Sequence, residues 1–203
     1  MNLKLRPYIS LDIETTGLSK TKSEILQIGA ILDDGLTPVD KLSTIDVLIR
    51  NPHLTHVEYG ALKMNMWMFP EMENPDSKYT IMPLRNAMAD LQRMVFQGIL
   101  IAQEWDKAKG YTPKEAIQFA GKNVGSFDAP IIDNACARWG VPPLKGTCYR
   151  TIDPGSLYLE EFGTNRGLGK INKLTGREPV CHHAVDDAMD VVYAIRKKVG
   201  VDV

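Results

Sequence analysis

Three short apolar runs open the chain: YISLDIE (8–14), EILQIGAIL (24–32) and TIDVLIR (44–50). They are rich in β-branched residues and separated by TTGLSKTKS and DDGLTPVDKLS, which carry turn chemistry, so they predict three strands. The pattern then changes period. EYGALKMNMWMF (58–69) predicts a helix ended by Pro70, ENPDSKY (73–79) a loop, and PLRNAMADLQRMVFQ (83–97) a second helix. In that second helix Pro83 falls near the first turn, and Leu84, Ala87, Met88, Leu91, Met94 and Val95 form one stripe. A short strand, AIQFAGKN (116–123), and a helix from Ser126 to Trp139 follow. A strand near CYRTID (148–153), two short helical pieces and a final helix from Ala184 to Lys198 complete the chain.

Three strands followed by alternating helix and strand predict an α/β fold, a mixed five-stranded sheet flanked by helices. No repeat or linker marks a second domain, so 1–203 reads as one unit, with 98–117 an elaboration between core elements. A length of 203 residues suffices for one well-cored domain, and 44% hydrophobic with 24% charged residues is ordinary for a globular protein. A net charge of −1 argues against a broad basic surface that coats duplex nucleic acid, though not against a partner gripped at one end. Cys136, Cys148 and Cys181 cannot pair completely and show no CxxC spacing, which suits reduced thiols. The acids Asp12 and Glu14 follow the short start directly, so no secretory leader is expected, and the run MVFQGILIA is far too short to span a bilayer. The expectation is a soluble cytoplasmic protein with no membrane partner.

The first strand contains an anomaly. Asp12 and Glu14 sit two residues apart, so their carboxylates leave one face roughly 6.5–7 Å from each other. Like charges so placed repel unless water or a cation compensates them. A solvated acidic face would also account for them. A third acid lies in NVGSFDAPIIDNACARWG (123–140). If Ser126 caps that helix, Pro130 falls in its first turn and Asp128 aligns with the stripe of Ile131, Ile132, Ala135 and Trp139. A carboxylate in line with a buried stripe is costly unless paired or metal-bound, although a helix N-terminus also favours an acid.

The last chemistry-bearing stretch is CHHAVDDAMDVV (181–192). Val185, Ala188, Val191, Val192 and Ile195 form the apolar stripe of the final helix, and Asp187 lies at its margin. His182 lies five residues earlier and cannot share that helical face, so it comes from the entering loop. An acid on the helix with a His on the loop suits a general base beside a metal ion. Zinc bound by Cys181, His182 and His183 is disfavoured, because adjacent residues diverge and no second ligand pair has zinc spacing. His183 reads as a surface or packing residue. NRGLGKIN (165–172) is not a phosphate loop, since Thr164 and Ile171 replace residues that such a loop requires.

SLDIETTGL, NVGSFD and HHAVDDA resemble, in order and spacing, the three motifs of the DEDD-type 3′→5′ exonucleases, histidine branch, of ribonuclease H-like fold. SEILQIGAIL and GLGKINKLTG also look like parts of that family. The likeness is weakest across 52–117, where the chain is longer than a minimal member. The resemblance implies a ribonuclease H-like α/β sheet in which Asp12, Glu14, Asp128 and Asp187 bind two Mg²⁺ ions, with Mn²⁺ a substitute, and His182 serves as the base. Thr15, Thr16 and Leu18 match positions that bracket the terminal sugar and base, and Phe127 is a further apolar candidate. Lys122, Arg150, Lys170 and Lys173 are candidates to reach phosphates. The implied activity is release of 5′-mononucleotides from single-stranded nucleic acid 3′ ends, DNA or short RNA. The implied partners extend to a homodimer or a polymerase served as a proofreading subunit. The alternative is a non-catalytic scaffold on the same fold.

Overall fold

The computed structural model describes residues 5–50 and 54–203, so the first two residues of the divergent 52–117 region lie outside what is described. Its strands are β1 (Tyr8–Thr15), β2 (Ile25–Asp33), β3 (Ser43–Ile49), β4 (Thr80–Met82) and β5 (Gln118–Ala120). They form one sheet in the order β4-β3-β2-β1-β5. β1 and β3 flank β2 antiparallel, whereas β5 joins β1 and β4 joins β3 in parallel. The expected α/β class is therefore present, as a mixed five-stranded sheet flanked by helices and consistent with a ribonuclease H-like arrangement.

Strand alternation divides the sheet into two faces. Ile9, Leu11 and Ile13 of β1, with Ile28, Ala30 and Leu32 of β2, pack against α3 (Leu84–Ala108) and α4 (Asp128–Arg138) in the main core. The opposite face carries Ser10, Asp12 and Glu14 from β1 and Gln27, Gly29 and Ile31 from β2, and α8 (Ala184–Val199) lies over it. Ser10 Oγ donates to the Ala188 carbonyl at 2.7 Å, one polar tie inside this interface. Gly29 lets the helix approach: a Cβ there would stand closer than 3.0 Å to the backbone of Ala184 and Val185.

Several expected elements are corrected. The fifth strand is not CYRTID, which forms no ladder and meets the β5 segment at isolated bridges, Ile117–Thr147 just before it and Ala120–Ile152 within it. Between those bridges Tyr149 and Arg150 turn outward to solvent, and this breaks the ladder. The fifth strand is β4, three residues whose pairing comes from β3 rather than from local pattern. The helix expected over 58–69 divides into α1 (Tyr59–Asn65) and α2 (Met68–Glu73). Pro70 lies in the first turn of α2, where its missing N–H leaves no bond unmade, so it does not end a helix. The helix expected over 83–97 continues to Ala108 as α3, absorbing half of the supposed elaboration. Its stripe runs on through Gly98, Ile99 and Ala102 to a buried Asp106, which accepts from Arg6 Nε at 2.9 Å and Nη2 at 3.0 Å. Ser126 does not cap α4: its hydroxyl donates to the Asn123 carbonyl at 3.1 Å, and Phe127 occupies the cap position. The two short pieces before the final helix are α5 (Pro154–Leu157) and α6 (Leu159–Phe162), joined by a third, α7 (Leu168–Thr175). No helix among the described residues is long and apolar enough to cross a membrane.

Candidate metal centre

Four acids from three elements converge at one end of the β1–α8 interface. Asp12 and Glu14 leave β1 on the face that α8 covers. Asp187 comes from the first turns of α8. Asp128, the first residue of α4, enters from beyond the edge of β1. β5 stops opposite Ser10, which leaves the Ile13 N–H with no strand partner, and Asp128 Oδ1 accepts it at 3.1 Å. Glu14, Asp128 and Asp187 are buried, and Asp12 is partly so.

All four resist ionisation. Burial pushes Asp12 well above the usual carboxylate range, and the neighbouring charges of Asp128, Asp187 and Glu14 add to it. Glu14 is pushed up to about 7, first by burial and then by Asp187 and Asp128, while the Asn65 side chain acts the other way. Burial likewise raises Asp128 to about 7 against the opposing Ile13 N–H. Asp187 is also raised to about 7, by burial first and then by Asp190, against a bond from the Cys181 backbone. Among the described residues the fold thus gathers these carboxylates without pairing them with a lysine or arginine.

The fit to a cation can be tested on this geometry. Glu14, His182 and Asp187 each offer one ligand atom, and the three atoms lie within 4.8 Å of one another. Asp187 Oδ1 is buried with no hydrogen-bond partner among the described residues. A buried carboxylate oxygen left unpaired is expensive in a protein interior, and a divalent cation satisfies it. The group of two carboxylates and one imidazole could hold a divalent metal ion, and its carboxylate oxygens alone are the donors that suit Mg²⁺ or Mn²⁺.

The other expected site residues separate into groups. His182 stands exposed in the loop before α8, with its backbone in the left-handed region at φ 57°. His183 follows at the helix cap, its ring stacked on Trp67 with centroids 4.0 Å apart. Thr15 Oγ1 donates to the Gly17 carbonyl at 2.7 Å, and Thr16 Oγ1 donates to His56 O at 2.6 Å and accepts from Glu24 N–H at 2.9 Å. Both hydroxyls are therefore occupied in holding the turn after β1. Leu18 is the exposed member of that turn, with 74% of its surface open. Phe127 packs partly against the main core. Among the candidate phosphate contacts, Lys122 is held by both oxygens of Asp153 at 3.1 Å and by Asn165 Oδ1 at 2.6 Å, whereas Arg150, Lys170 and Lys173 are exposed.

Three supporting residues escaped the sequence. Asn65 is buried under the turn, its Nδ2 donating to the Thr15 carbonyl at 3.0 Å and its side chain bonding Glu14. Gln27 accepts the Ala184 N–H on Oε1 at 3.1 Å and donates through Nε2 to Asp46 at 2.7 Å, tying the start of α8 to the sheet. Gly29 is the third. The only signal for Gln27 and Gly29 was a polar residue and a glycine inside an otherwise apolar strand; Asn65 carried none. Comparison with family models and with curated proteins finds no match.

Proposed function

We propose that the chain is a divalent-cation-dependent 3′→5′ exonuclease of the DEDD kind, acting on single-stranded ends. The observation that carries this reading is the convergence of four acids, one with an orphaned buried oxygen, beside an exposed histidine. Asp12, Glu14, Asp128 and Asp187 would hold the metal. Bound there, such ions would supply electrostatic stabilisation to the attacking and departing oxygens of a phosphodiester. His182, solvent-exposed and directed at the same acids, takes the proton from the attacking water. Leu18 offers an apolar surface to the terminal base. Asn65 keeps the Glu14 carboxylate and the Thr15 carbonyl in register with each other.

A strand end fits this site better than an internal bond. The chain as a whole is close to neutral, so on this reading affinity comes mainly from the last few nucleotides rather than from a broad basic surface. The test is cleavage of a 5′-labelled oligonucleotide by wild type, His182→Ala and His183→Ala, with and without chelator. His182→Ala should lower the rate by about two to four orders of magnitude, and His183→Ala by much less. A 3′-phosphate should block the substrate, since it adds charge beside four acids. Internal cuts, or activity that survives chelation, would overturn the reading.

A further inference from the structure

The stack between Trp67 and His183 assigns work to a segment that the motifs do not touch. The two rings lie 2° from parallel at 4.0 Å, the geometry of a full face-to-face contact. Tyr79 closes the cluster, its centroid 5.3 Å from Trp67 and 6.3 Å from His183. Trp67 caps α2, and Tyr79 precedes β4, so both come from the region between β3 and α3. His183 belongs instead to the loop that carries His182.

The His182 ring makes no hydrogen bond among the described residues. The direction in which it leaves the chain is therefore set by its backbone. That backbone is left-handed, a conformation that a residue with a side chain keeps only where its surroundings enforce it. On the C-terminal side the enforcement is visible. The His183 carbonyl accepts the Asp187 N–H at 2.9 Å, the Ala184 N–H is held by Gln27, and the His183 ring is pinned against Trp67. Of these ties, only the stack reaches outside the β1–β2–α8 assembly.

We propose that Trp67 is a positioning residue: by stacking on His183 it fixes the loop at 181–184 and aims His182 at the acid cluster. This rests on the exonuclease reading above. Trp67 touches no reacting atom in this scheme, so its effect must pass through His182 and vanish when His182 is absent.

The experiment compares Trp67→Ala, Trp67→Phe, His183→Ala and His183→Phe, each alone and combined with His182→Ala. It reads kcat and KM on a single-stranded oligonucleotide with Mn²⁺, calorimetric Mn²⁺ affinity, and hydrogen exchange at amides 182–187. Trp67→Ala and His183→Ala should each lower kcat by about tenfold, with KM and Mn²⁺ affinity within about twofold. Their combination should be no worse than either alone, because both remove one contact. The phenylalanine variants keep a stacking face and should stay within about threefold of wild type. In the His182→Ala background none of the four should cost more, and exchange at 182–187 should quicken in both alanine variants. Should Trp67→Ala fail to fold, the His183 pair carries the same test. Unchanged kcat in both alanine variants, a loss that persists without His182, or unaltered exchange would each overturn the proposal. If His182→Ala itself retains wild-type activity, the exonuclease reading fails at its base, and exchange alone then decides whether the stack holds the loop.

Discussion

The β1–α8 interface carries buried charge at both ends, and the two ends are solved differently. At the Tyr8 end, Asp33 is fully buried and paired with Arg196, whose Nη2 lies 2.6 Å from its Oδ1. Tyr8 Oη donates to the other oxygen at 2.8 Å, and Arg196 is further held by the Thr37 and Asp202 carbonyls at 2.8 and 3.1 Å. At the Asp12 end β1 and α8 present Asp12, Glu14 and Asp187, α4 adds Asp128, and none of the four has an arginine or lysine ion-pair partner among the described residues. One end is a finished ion pair that stabilises the join between helix and sheet. The other gathers unpaired acids whose pKa values are raised, and on the reading proposed above a cation completes it.

Swapping the chemistry of the two ends gives the largest expected effects, in opposite directions. Arg196→Met leaves Asp33 buried and uncompensated, and should destabilise the fold by about 3–5 kcal/mol in a denaturant titration. Asp187→Asn removes a charge from a cluster that repels itself, so the metal-free protein should hold its stability or gain, while turnover falls by more than about a thousandfold. A destabilised Asp187→Asn with intact turnover would reverse the comparison.

A smaller effect is expected from the backbone that both ends share. Gly29→Ala places a methyl group against the main chain of Ala184 and Val185, which cannot move aside as a flexible side chain can. The start of α8 must lift, at a cost of about 1–3 kcal/mol. Because that start carries Asp187 and follows His182, activity should drop more than stability does. Paired measurements of melting temperature and rate check this.

A further effect distinguishes the ends by pH. The folded acids Glu14, Asp128 and Asp187 hold protons up to about 7, against ordinary values of 3.8 for Asp and 4.5 for Glu. Between about pH 4 and 7 the folded state therefore binds more protons than the unfolded chain, and the stability of the metal-free protein falls as pH rises through that window. Above about 7 these groups contribute no further slope. Melting temperatures in chelator should accordingly be higher at pH 5.5 than at pH 8. Asp187→Asn should flatten the difference, and Mn²⁺ should restore stability most at pH 8. A rise of stability with pH across the window in chelator would contradict the picture of unpaired acids.

Much of this site was legible because its residues break simple periods. Asp12 and Glu14 interrupt a strand at its two-residue spacing, and Asp128 interrupts the buried stripe of a helix. What stayed hidden depends on long-range contact. β4 has only three residues, too few for any period, and exists because β3 offers an edge. The full length of α3 was masked where Gly98 interrupts its stripe. A Cβ there would strike Ile117 and Leu32, so the glycine serves the packing of the helix on its neighbours rather than a turn. Asn65 and Trp67 fall inside one predicted helix with nothing to single them out, and their contacts with the Thr15 carbonyl and the His183 ring come only from what folds against them.

The most direct test of the central claim is calorimetric titration of Mn²⁺ into the metal-free protein at pH 8, for wild type, Asp187→Asn and Arg196→Lys. Saturable binding by wild type, with about two ions per chain, is expected. Asp187→Asn should lose at least one of those ions, and the distant Arg196→Lys should keep both if it folds. Absence of saturable binding in wild type, or equal binding in Asp187→Asn, would show that the acid cluster is not a cation site.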